Sequence, residues 1–225
     1  MHIEPGVVDA AKIAFSYATA ATSVGIIAKL SFDQIRSDGG VTNLAARAVA
    51  TTALVYSFFE FLPHYPVGVS EVHFIFGTTL FLIFGAGAAA IGLAFGLLAQ
   101  GLTIAPYDLP QYGMNLTTLI LPLFAMNLVA KKVIPAHTAY KDVSYGQAMA
   151  LSAAFQAGII AWVAFWVVYG QGVTTESVAS IGTFSAAYMT VILVEPLVDL
   201  AVLAAAKIAG DNGLMFQRRL YQPAA

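Results

Sequence analysis

The chain begins MHIEPG, and a later histidine stands in VSEVHF, with His73 at the mouth of an apolar run. A histidine directly behind Met1 places three nitrogens in one chelate: the α-amine of Met1, the amide nitrogen joining residues 1 and 2, and the imidazole Nδ1 of His2. These close adjoining five- and six-membered rings around a single ion. The amide must lose its proton, which only metals with strong in-plane bonding enforce, so the set favours Ni(II) or Cu(II), with Co(II) next, over Zn, Mg or Ca. A fourth nitrogen would complete the square, and His73 is the candidate if the two segments share one side of the molecule. Glu71, two residues before His73, either fixes the imidazole tautomer as a supporting carboxylate or is a solvated loop acid; Ser70 lies beside it, and Asn115 and Asn127 are candidates to line the same cavity.

A second polar group lies within an apolar stretch. Glu195 and Asp199 are four residues apart in VILVEPLVDLAVL, hence on one face of a helix, and a charge at membrane depth is costly unless paired or wet. They read either as internal hydrogen-bonding groups beside the Pro196 kink or as a proton or coupling-ion site. His137, near Lys131 and Lys132, reads as a solvated loop residue, and His64, between Pro63 and Tyr65, as interfacial.

The elements that must position these groups follow from composition. Of the 225 residues 59% are hydrophobic and 10% charged, and mean hydropathy is +0.79, so most of the surface faces a solvent other than water. Such a length accommodates six or seven spans of about 20 residues as a single membrane domain, with no room for a separate enzymatic domain. The net charge of −2 and scattered basic residues offer no stripe for nucleic acid. There is no cysteine, which excludes disulfides and thiolate ligands, and the redox compartment stays open. The first eleven residues carry Glu4 and Asp9 but no Lys or Arg, so the N-terminus is expected to stay in the mature protein rather than serve as a signal peptide.

Apolar runs predict an all-α bundle with helices near 9–28, 45–62, 72–84, 87–103, 115–134, 146–169 and 178–207. The break at Gly85–Gly87 decides between seven helices and six. With seven and the N-terminus outside, nine of the ten basic residues fall inside and only Lys12 outside, so the positive-inside rule favours seven, with the C-terminus cytoplasmic. The third helix is too short to cross alone, and the loop LPHYPVGVSEV is expected to dip inward and form a pocket walled by His73. Small residues at four-residue spacing (Ala10, Ala14, Ala18 and Thr22; Ala46 and Ala50; Ala88, Gly92 and Gly96) read as internal helix packing, with docking of a partner subunit as the alternative. Phe58, Phe59, Phe61, Trp166 and Tyr169 read as an interfacial aromatic belt.

With these residues in place, MHIEPG resembles the start of the substrate-capture membrane component of cobalt and nickel energy-coupling-factor transporters, the CbiM/NikM family. PVGVSEVHFIFGTTLFLIFGAGAAAIGLAFGLLAQGL is similar to its Gly/Ser-rich loop, loop histidine and apolar hairpin, and YGMNLTTLILP and VILVEPLVDLAVL resemble its later segments. Val72 stands where the family usually has a small residue, and Glu4-Pro5 replaces an acid at the fifth position. The resemblance implies a metal held by Met1, His2 and His73, with Ni(II) or Co(II) as transported substrate. It implies a prokaryotic cytoplasmic membrane, a transmembrane coupling subunit, two ABC-type ATPase subunits and, in some assemblies, a small accessory membrane subunit. The chain has no Gly-rich Lys-Ser/Thr phosphate loop, so neither nucleotide nor enzymatic activity is expected of it. Two rivals remain: a secondary transporter using Glu195, Asp199 and Glu60, and a haem-binding oxidoreductase subunit, which would need facing histidines within helices.

Overall fold

The computed structural model describes residues 3–223. Among these, six helices are long and apolar enough to cross a membrane: α1 (Ala10–Ser37), α2 (Gly40–Phe61), α4 (Ala86–Thr103), α5 (Tyr112–Val133, preceded by a 3-10 turn at Pro106–Gln111), α6 (Tyr145–Gln171) and α7 (Thr175–Ala209). The seventh expected segment is α3 (Gly77–Phe84), and a short α8 (Arg218–Tyr221) closes the chain. A hairpin of β1 (His64–Val67) and β2 (Ser70–His73), turning at Gly68, joins α2 to α3.

The helices alternate direction between a hairpin end, where Lys12 donates to the Gly170 carbonyl at the close of α6, and an opposite end, where the chain after α7 meets the α1–α2 turn. Polar starts fit this arrangement. Asp9 caps α1, while Ser144 and Thr174 form capping boxes at α6 and α7, satisfying N–H groups that have no intrahelical partner. The core runs between α2 and α4 and through α1, α5, α6 and α7. Gly92 and Gly96 of α4 lie directly on Thr51 and Val55 of α2, and a Cβ on Gly92 would strike the Thr51 side chain and backbone, so this stripe is internal packing as expected. The α1 stripe is not: Ala10, Ala14, Ala18 and Thr22 all face outward, and α1 instead buries Ser16, Ser23, Leu30 and Gln34.

At about 1.5 Å per residue, α3 is roughly 12 Å long and crosses only part of a ~30 Å hydrocarbon layer. It starts against the middle of α7 and runs to the opposite end. Expected to begin at residue 72, this helix begins at Gly77 because residues 70–73 form β2. Backbone groups buried at a helix break must find partners in the protein. Gln34 of α1 supplies them at the α3–α4 break: its Nε2 donates to the Phe84 carbonyl (2.7 Å), and its Oε1 accepts from Gly87 N–H (2.8 Å) and Ala88 N–H (3.1 Å). Gly85 sits at φ 93°, where a side chain would be strained and would collide with Gln34. Gln217, from the segment after α7, donates to the Phe81 and Leu82 carbonyls. That segment is held by fully buried Arg47, which pairs with Asp38 (2.6 Å) and donates to the carbonyls of Gly213, Leu214 and Phe216.

Candidate metal site

Strand periodicity puts residues two apart on the same face, so Glu71 and His73 point together from β2. His73, 1% exposed, donates through Nε2 to Glu71 Oε2 at 2.7 Å. A proton on Nε2 places the imidazole lone pair on Nδ1, and metal-binding histidines commonly have one ring nitrogen held by a carboxylate in this way. Two rings hold the imidazole plane: His64, directly across the hairpin, stacks on it at 4.9 Å and 9°, and Phe59 meets it edge-on at 5.4 Å.

The N-terminal segment docks on this hairpin. Ile3 forms a β-bridge with Ser70, Glu4 N–H donates to the Val69 carbonyl (3.2 Å), and Ile3 N–H donates to Asn115 Oδ1 (2.9 Å). Ser70 and Asn115 thus tie residue 3 beside the strand that carries His73, and both are buried. Met1 and His2 lie outside the described residues.

The surroundings are acidic. Glu4, Glu71 and Asp108 lie within electrostatic reach of one another, and burial, followed by the Glu71 charge, pushes the Glu4 carboxyl above its ordinary range. A cation would relieve this crowding. Sequence reasoning misses Asp108, which lies in a 3-10 turn and is only 7% exposed; its one signal is an acid within the Pro-rich APYDLP.

Other expectations separate. Asn127 does not share the cavity with Asn115: it borders a polar pocket at the opposite end with Asp33, Lys131 and Arg219, because α5 carries the two asparagines more than three turns apart. Phe59 and Trp166 are fully buried core residues rather than an aromatic belt, whereas Phe61 is exposed. His137 is exposed at the far end, and His64 pairs with His73 across strands, so no two described histidines face each other from helices. Glu195 and Asp199 share a face as expected and are buried. Glu195 accepts from Phe76 N–H, Gln156 Nε2 and Ser152 Oγ, and Asp199 accepts from Thr79 Oγ1.

Comparison with known proteins bears on the family and the fold. The family model for the "Cobalt uptake substrate-specific transmembrane region", CbiM, matches residues 2–210. Two solved structures share the fold: a truncated transition metal transporter (17% identity, TM-score 0.70, covering 94% of this chain and 100% of that one) and a transition metal transporter (19% identity, TM-score 0.67, 96% of each). No curated protein matches the chain in sequence. A multi-pass helical bundle with a family match over nearly its whole length is therefore a transport component rather than an enzyme, and the chain belongs to the CbiM family of cobalt-uptake substrate-specific membrane proteins.

Proposed function

We propose that this protein captures Ni(II) or Co(II) on the outer face of a prokaryotic cytoplasmic membrane through four nitrogens: the Met1 amine, the amide between residues 1 and 2, the His2 imidazole and His73. The observation that carries the reading is the docking of Ile3 against Ser70, three residues from a buried, Glu71-oriented His73. Two residues of extended chain span at most ~7 Å, so a chelate built immediately before Ile3 starts within reach of the His73 ring. Glu71, Ser70 and Asn115 act as supports and do not ligate.

Lys29, Arg36, Arg47, Lys131, Lys132, Lys141, Lys207, Arg218 and Arg219 belong to the half of the fold away from the hairpin, which supports a cytoplasmic C-terminus and an outward-facing hairpin. The outward Ala10/Ala14/Ala18/Thr22 stripe offers close helix approach to a transmembrane coupling subunit, which with two ABC-type ATPases, and in some assemblies a small accessory membrane subunit, would supply the energy this chain cannot. The secondary-transporter reading draws less support, because every named contact of Glu195 comes from a protein donor.

The test is equilibrium binding of Ni(II) and Co(II) to protein purified with its native N-terminus, beside His73→Ala. One metal per chain, lost or strongly weakened in the variant, supports the reading; unchanged binding by the variant refutes it.

A further inference from the structure

His73 is three residues from the only positive-φ backbone among the described non-glycine residues. Phe76 has φ 53°, a left-handed conformation that bulky side chains rarely adopt, and it is where the chain leaves the hairpin and enters α3. Strain of this kind persists only where the surroundings impose it. Here the imposing groups are visible. Phe76 N–H, which has no partner within α3, donates to Glu195 Oε1 at 3.0 Å, and its ring meets Phe58 edge-on at 5.2 Å. Glu195 is itself locked, since its Oε2 accepts from Gln156 and Ser152 of α6.

We propose that Glu195, across the bundle on α7, is a positioning residue for metal capture: by holding the Phe76 turn it fixes where the hairpin presents His73. This rests on the reading of His73 as a metal ligand. The chain between them is Phe74 and fully buried Ile75, too short to absorb a shift of the turn without passing it to the imidazole. Thr79, one turn into α3, is bonded to Asp199, so the two intramembrane acids grip the start of the same short helix.

The experiment is a double-mutant cycle of Glu195→Gln and His73→Ala, reading Ni(II) affinity and the visible d–d absorption of bound Ni(II), which reports the nitrogen ligand set. The glutamine keeps the volume but confronts the donors with an amide. In the otherwise native protein E195Q is expected to lower Ni(II) affinity by roughly 10- to 100-fold, the range for groups that orient metal ligands, and to move the absorption toward that of H73A. In the H73A background the same change is expected to cost nothing further. Equal losses in both backgrounds, or no loss in the native one, would overturn the proposal, because a merely structural role is additive. Should E195Q not fold, Gln156→Met, which frees Glu195 from a side-chain tether on α6, replaces it in the same cycle: a smaller loss confined to the native background supports the proposal, and equal losses or none overturn it. If H73A alone binds Ni(II) as tightly as the native protein, the metal-site reading fails first and this inference goes with it; if H73A loses the metal while E195Q does not, only the role of Glu195 is refuted.

Discussion

Replacing Gln34 by leucine tests how the break between α3 and α4 is held. The amide of Gln34 is the partner of three buried backbone groups at the break: the Phe84 carbonyl and the N–H groups of Gly87 and Ala88. Leucine fills the space and offers none of the three contacts. A buried backbone group left without a partner costs about 1–3 kcal/mol, so three of them sum to roughly 3–9 kcal/mol. For a chain of this size 1 kcal/mol moves Tm by about 2–4 °C, which places the Gln34→Leu transition at least ~6 °C below that of the native protein. Gln34→Glu provides the control. It keeps an acceptor for Gly87 and Ala88, where negative charge is favourable beside the start of α4, and loses only the donor to Phe84. Thermal unfolding in detergent, followed by Trp fluorescence, should therefore rank native above glutamate above leucine. A leucine variant within ~2 °C of native, or a glutamate variant as damaged as leucine, would refute the capping argument.

Arg47→Met leaves Asp38 and the carbonyls of Gly213, Leu214 and Phe216 without their buried partner, a loss of about 3–5 kcal/mol, and amide exchange over 212–221 should rise well before that of α2. Gly92→Val drives a side chain into the backbone of Thr51 and breaks the 2.8 Å bond from Thr51 Oγ1 to the Ala88 carbonyl; it should destabilise by at least ~1–3 kcal/mol in the same melt, whereas Gly146→Ala, which meets nothing within 4 Å, should be neutral. Glu71→Gln retains an acceptor for His73 Nε2 without the charge and should weaken Ni(II) binding about 10-fold in a competition titration, with Glu71→Ala weakening it further.

Much of the helical framework is legible because membrane-spanning segments are marked by long apolar runs, and the break at Gly85 announces itself as GAG. The errors lie where apolarity stops being the signal. α1 continues to Ser37 through KLSFDQIRS, a stretch that reads as loop, because only Leu30 and Gln34 need face inward there and the rest is more open. The hairpin at 64–73 escapes a reading of the sequence because four-residue strands are too short to display alternation, although that alternation is what puts Glu71 and His73 on one side. The pairing of Glu71 with His73 is readable nonetheless, because the two stand only two residues apart. By contrast, Gln34, Gln217 and Glu195 act on α3 from positions 50, 136 and 119 residues away, so no local pattern reveals them. Burial of Phe59 and Trp166 and outward display of Ala10, Ala14 and Ala18 depend on which neighbour a helix face meets, and an apolar residue suits lipid and core alike.

The central claim is that Met1, His2 and His73 hold one metal ion. It is tested most directly by measuring bound Ni(II) and Co(II) in protein whose N-terminal amine is verified as unblocked, beside the same protein carrying an acetylated N-terminal amine. Acetylation keeps every side chain and removes only the Met1 amine from the chelate. About one metal per native chain and its loss from the acetylated protein are expected. Equal metal binding by the two proteins, or none by either, would contradict it.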